Sequence, residues 1–111
     1  MASLSITMTF LSAGVVVLLL RGPMRGADVG TFRAAFDRAL RGRPWEVRLD
    51  FADLVDIEAA AAAAVTAAAL DACRGGTPVT IVRAAEPVRR RMALAGSEDI
   101  LAATAPGGVR P

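Results

Sequence analysis

Residues 45–74 read WEVRLDFADLVDIEAAAAAAVTAAALDACR, and the change of period inside this stretch decides the fold. In its first part Val47, Leu49 and Phe51 alternate with Glu46, Arg48 and Asp50, which is the two-residue period of a strand with one buried face. This predicts a strand over 45–51. Asp53 to Asp56 read as the loop that follows it. From Glu58 to Cys73 the chain is dominated by alanine, the residue with the highest helix propensity, and Gly75 and Gly76 close the run. A helix this smooth can lie very close to a sheet.

The flanking segments extend the same alternation. Upstream, Asp28 is a plausible N-cap, and Val29, Phe32, Phe36 and Leu40 follow at i, i+3, i+7 and i+11. They form one apolar stripe with Arg33, Asp37, Arg38 and Arg41 set off from it, so an amphipathic helix is predicted up to Gly42. Downstream, Pro78 precedes a short strand, Val79 to Val82. A further helix is predicted from Glu86 or Pro87 to Ala95, where Gly96 breaks it. At the N-terminus, strands are predicted over Ser5–Leu11 and Val15–Arg21, joined by a turn at Ser12, Ala13 and Gly14, with Gly22 and Pro23 ending the second. The order strand, strand, helix, strand, helix, strand, helix implies an α/β fold. Its sheet is small and mixed, an N-terminal hairpin plus parallel strands, and helices cover it.

The apolar run Ile6–Leu20 also raises the question of a targeting or spanning segment. Met1 to Ser5 carries no cationic side chain, as a secretory signal would require. Thr7, Thr9, Ser12 and Gly14 interrupt the run before Arg21 ends it, short of the ~20 apolar residues that a spanning helix needs. The β-branched Val15–Val17 followed by Leu18–Leu20 reads as a buried strand, and no direct membrane insertion is expected.

Composition bounds the chemistry. The chain has 111 residues, 54% hydrophobic and 22% charged, which is one domain's worth. A single domain is expected over 1–104, with 105–111 as a flexible tail rich in Pro and Gly. There is no His, Lys, Tyr, Asn or Gln, and the single cysteine is Cys73. Ser–His and Cys–His nucleophile pairs, a lysine Schiff base and a P-loop lysine are therefore impossible. A zinc site lacks its usual Cys and His ligands. One cysteine forms no internal disulfide, which fits a reducing cytoplasm. All 13 cations are Arg and scattered, except Arg89–Arg91, and the net charge is +2. Without a clustered basic face or aromatics to stack on, nucleic-acid binding is not expected. Neither enzyme activity nor a cofactor or metal is expected.

The junction Val47-Arg-Leu-Asp-Phe-Ala-Asp-Leu-Val-Asp-Ile-Glu-Ala-Ala-Ala, together with the element order, resembles the STAS domain, the family of bacterial anti-sigma factor antagonists and sulfate-transporter tails. In that family a strand ending in Asp leads through a short loop into Asp-Ser-Ser/Thr-Gly at the start of a helix. Asp50 and Asp53 occupy the strand-end pattern, and Asp56 matches the motif's aspartate. The stretch Glu86–Leu101 resembles the family's last helix, so the likeness spans about residues 5 to 102. The resemblance implies a STAS-like fold and a partner-binding site at Asp53, Asp56, Ile57, Glu58 and Ala59. Its implied partner is an anti-sigma factor of the serine-kinase type, and its implied location is the cytoplasm. Ile57 and Glu58 replace the paired hydroxyls, and Ala59 replaces the glycine. By position, Glu58 stands where the family carries the hydroxyl that an anti-sigma kinase phosphorylates.

A glutamate offers one negative charge and two oxygens, against about −1.5 to −2 and three acceptor oxygens for a phosphoryl group. Glu58 then either holds the protein in a weak-binding form or leaves it a constitutive antagonist. A second reading is an accessory STAS subunit of a transporter or signalling scaffold, in which phosphorylation has no part. A plainer account of the same residues has Asp56 capping the helix and Glu58 adding a favourable first-turn charge. Cys73 reads as a packing residue and Arg89–Arg91 as a solvated face. The acids Asp50, Asp53, Asp56 and Glu58 invite a Mg²⁺ or acid–base reading, but no base, phosphate cradle or glycine-rich loop accompanies them.

Overall fold

In the computed structural model, which describes residues 3–102, the chain runs β1 (Ser5–Leu11), β2 (Val15–Met24), α1 (Val29–Arg41), β3 (Glu46–Ile57), α2 (Ala59–Arg74), β4 (Val79–Val82) and α3 (Glu86–Leu94). The strands form one sheet in the order β1-β2-β3-β4. β1 and β2 are antiparallel, while β2–β3 and β3–β4 are parallel. This is the α/β class and the mixed sheet expected from the pattern. The run Ile6–Leu20 is a hairpin, closed by the turn Ser12–Gly14 in which Ala13 and Gly14 have φ of 71° and 76°. No described helix is long and apolar enough to cross a membrane. Residues 105–111, expected to form a tail, lie outside the described residues.

The three helices pack side by side over one face of the sheet, α2 between α1 and α3. The core lies between the two layers. Val16, Leu18 and Leu20 of β2, Val47, Leu49 and Phe51 of β3, and Val79 and Ile81 of β4 fill it from the sheet. From α1, Phe32 and Phe36 enter it stacked, with ring centroids 5.3 Å apart. α2 presents Ala61, Ala62, Val65, Thr66, Ala68 and Ala69, a 3.6-residue stripe made almost wholly of small side chains. Its larger neighbours supply the bulk, so this helix sits deep without overpacking.

Two strands run further than their sequence suggested. β2 continues through Gly22 and Pro23 to Met24, and β3 continues past Phe51 to Ile57. The register gives the reason. Leu19 stands opposite Asp50 and Arg21 opposite Asp53, then Gly22 opposite Leu54 and Pro23 opposite Asp56. In each interval β3 carries one residue more than β2, which is a bulge. Each bulge lengthens the spacing of core-facing residues from two to three, so Phe51, Leu54 and Ile57 are all buried while the residues between them are exposed. Pro23 lacks an N–H, and it is accommodated at the second irregularity. At the first residue of that irregularity, Gly22 has φ of 90°, and a Cβ there would stand 2.7 Å from the Ser3 carbonyl oxygen.

Candidate functional site

The carboxyl ends of β2 and β3, the turn after β2 and the amino end of α2 meet at one pole of the sheet. In open α/β sheets this is the end where binding sites are usually built. The turn Arg25–Asp28 is closed locally. Asp28 Oδ2 accepts from the Arg25 N–H at 2.8 Å, while the Asp28 N–H donates to the Arg25 carbonyl at 2.9 Å. Asp28 precedes α1 as expected, but its carboxylate serves this turn and not the helix.

Glu58 joins this turn to α2. It is the residue before the helix, with extended backbone (φ −72°, ψ 154°), and its carbonyl accepts the first helical hydrogen bond from Ala62 at 2.9 Å. Its own N–H donates to the Met24 carbonyl at 2.9 Å. Its side chain reaches back across the turn, where Oε1 accepts from the Gly26 N–H at 2.8 Å. The cap position therefore belongs to Glu58. Asp56, expected to cap, lies in β3 opposite Pro23 with its side chain exposed, because the extended strand runs on through Ile57 and leaves it two residues before the cap.

The remaining expected residues divide by depth. Ile57 is fully buried in the core, and its carbonyl accepts from the Arg91 guanidinium at 3.1 Å. Asp53 is exposed and lies 3.7 Å from Arg21. A solvent-exposed pair of this kind is worth about 0–1 kcal/mol. Ala59 opens α2 and lines a groove of about 270 Å³ with Ala63, Arg91, Leu94 and Ala95. Leu94 on one wall is 85% exposed, and Val55 at the second bulge is 71% exposed. Leu94 and Gly26 were not singled out in the sequence, and Arg91 was read there only as part of a solvated run. Arg91 and Leu94 share one face of α3 at i, i+3, and that spacing was the available signal.

Asp50, grouped with these acids by sequence, has another task. It sits within the ladder, and its side chain is nearly buried. Oδ1 accepts from the Ala52 N–H at 3.0 Å and from Arg83 Nε at 3.2 Å, and Oδ2 accepts from the second Arg83 nitrogen at 2.5 Å. The carboxylate thus satisfies an amide freed by the first bulge and holds Arg83, whose backbone has φ of 61°, at the end of β4. Asp50 also raises the Arg83 pKa above its ordinary value, first through the hydrogen bonds and then through its charge. Asp50, Asp53 and Glu58 are therefore spread over separate partners while Asp56 is exposed, and no three acids, Cys or His converge as metal ligands among the described residues.

Arg90 and Arg91 are exposed, as expected of a solvated face, and Arg89 is half-buried, but two of the three also hold a backbone carbonyl. Arg89 donates to the Ala102 carbonyl at 2.7 Å, and Arg91 reaches Ile57. Only Arg90 makes the surface helical pair expected of such a run, 3.5 Å from Glu86. The pole as a whole offers exposed acids, the exposed cations Arg21, Arg25 and Arg91, and a shallow apolar groove. Chemically it can dock a protein, and residues 57–59 present no hydroxyl to a kinase.

A family described as "Mlab, STAS domain" matches residues 9–102. Among solved structures, an anti-sigma factor antagonist from Mycobacterium paratuberculosis is similar, with a TM-score of 0.79 at 16% identity, covering 92% of this chain and 87% of that one. The antisigma-factor antagonist STAS domain from Rhodobacter sphaeroides has a TM-score of 0.65 at 26% identity, covering 77% and 95%. The murine anion transporter Slc26a9 is similar over 89% of this chain but only 19% of its own, with a TM-score of 0.64 at 12% identity. No curated protein matches the chain.

Proposed function

We propose, from the premise that the chain belongs to the STAS domain family, that it is a regulatory protein-binding module whose docking surface is set permanently in one form. Its partner on this reading is an anti-sigma factor of the serine-kinase type. The surface is the pole built from Asp53, Asp56, the start of α2 and the groove against α3. The observation that carries the reading is the hydrogen bond between Glu58 Oε1 and the Gly26 N–H. A carboxylate engaged by an internal backbone donor fixes the β2–α1 turn against α2, and a glutamate here offers no hydroxyl to phosphorylate. Partner binding that elsewhere in the family ends on phosphorylation is then constitutive here.

The test is a binding titration of the wild type and Glu58→Ser against the anti-sigma kinase encoded nearest its gene, without and with ATP. Wild-type binding that ATP leaves intact supports the reading. Binding by Glu58→Ser alone, abolished by ATP, makes Glu58 a frozen phosphate mimic and overturns it. Should neither form bind, the second reading gains: a non-phosphorylatable accessory module of a transporter or signalling scaffold. The likeness to a segment of Slc26a9 and the absence of a hydroxyl at 57–59 favour that second reading. Localisation in the cytoplasm follows from either partner class and is part of the same proposal.

A further inference from the structure

The two edges of the sheet are treated differently. Beyond β4, Leu101 bridges to Ile81 and the Ala102 N–H donates to the Ile81 carbonyl at 2.9 Å, so that edge is covered. Beyond β1, no strand pairs among the described residues. β1 is seven residues long and reads Ser-Ile-Thr-Met-Thr-Phe-Leu. It holds no charge, no Pro and no Gly, and its register with β2 is unbroken by a bulge. Proteins ordinarily guard an open edge with those devices, because a bare row of N–H and C=O groups templates pairing with another strand.

From this we infer that the β1 edge is an interface between two copies of the chain, paired antiparallel about a two-fold axis at Met8. β1 is complementary to itself in that register. The axis sets Thr7 against Thr9 of the other copy, Ile6 against Phe10, and Ser5 against Leu11, so all seven residues are used. Hydroxyl meets hydroxyl on the open face of the sheet, and aliphatic meets aromatic on the helix-bearing face, a combination that stabilises cross-strand pairs. Phe10, 70% exposed in the single chain, gains a cover it otherwise lacks. With no charge on the strand, no like charges meet across the axis. A foreign strand is the other candidate occupant, but nothing on β1 selects one, whereas its symmetry selects itself. The product is an eight-stranded sheet that closes at two copies, since each has one such edge. The docking pole lies elsewhere on the sheet, so this inference does not rest on the proposed partner.

Sedimentation velocity over a wide concentration range tests it, beside two variants at the exposed positions 7 and 9. The wild type is expected to double from 11.5 kDa as concentration rises. Thr7→Lys with Thr9→Lys sets lysine against lysine twice across the axis and is expected to weaken the dimer more than tenfold. Thr7→Lys with Thr9→Glu sets opposite charges face to face in this register alone and is expected to restore it at low salt. Circular dichroism checks that both variants fold. A wild type that stays monomeric, a lysine pair without effect, a Lys/Glu pair that fails to restore, or growth past the dimer each overturns the inference.

Discussion

A carboxylate at position 50 costs the sheet desolvation and repays it three times over, in the Ala52 amide and both contacts to Arg83. Removing it orphans a backbone N–H in a bulge. Asp50→Ala is therefore expected to lower unfolding stability by about 1–3 kcal/mol in urea denaturation. Arg83→Met leaves the nearly buried Asp50 carboxylate without its cation and is expected to be destabilising as well. A second residue-scale test lies between α2 and the turn after α3. There the Thr66 and Ser97 hydroxyls share one buried hydrogen bond of 2.6 Å. Ser97→Ala leaves Thr66 unsatisfied and is expected to cost about 1–3 kcal/mol. Adding Thr66→Val should cost less than the two single changes summed, because the orphan is removed with its partner. Neither bond was legible in the sequence. Asp50 read there as one acid of a cluster, since only the fold brings position 83 to it across 33 residues.

At the scale of elements, α2 depends on being small. Ala62 is fully buried against the sheet and neighbouring helices, whereas Ala60 and Ala67 face solvent. Ala62→Leu is expected to destabilise by about 1–3 kcal/mol through overpacking, and Ala67→Leu to be close to neutral, by thermal or chemical melting. The alanine run announced its helix but not which side it buries, because six identical residues carry no phase. β3 shows the opposite difficulty. Its phase was plain through Phe51, and the two bulges then turned a two-residue period into Phe51, Leu54, Ile57, a spacing that reads as loop. Element order, the hairpin and five of the seven elements' limits were legible to within a residue or so, because their periods were undisturbed. The site was legible in part. Ala59 and Glu58 stand at the helix start, where motif spacing put them. Asp56 was misplaced by the bulge, and the helix carrying Arg91 and Leu94 was legible while their role as a groove wall was not.

On the scale of the whole molecule, β3 acts as an axle. One end delivers Ile57 and Glu58 to the docking pole, while the other begins beside the hairpin turn, where the Trp45 N–H donates to the Gly14 carbonyl at 2.7 Å. Trp45 is the only tryptophan in the chain, and it is 75% exposed. The chain thus carries one indole fluorophore, already bathed in water and a full strand length from the proposed partner. Its emission is expected to sit near the red limit in the native state and to move little on denaturation, while far-ultraviolet dichroism reports the full transition. A partner seated at Glu58 should leave the spectrum unchanged, so a blue shift on mixing would locate that contact at the opposite pole. The molecule's one intrinsic optical label thereby records where it is touched, and is nearly silent about whether it is folded.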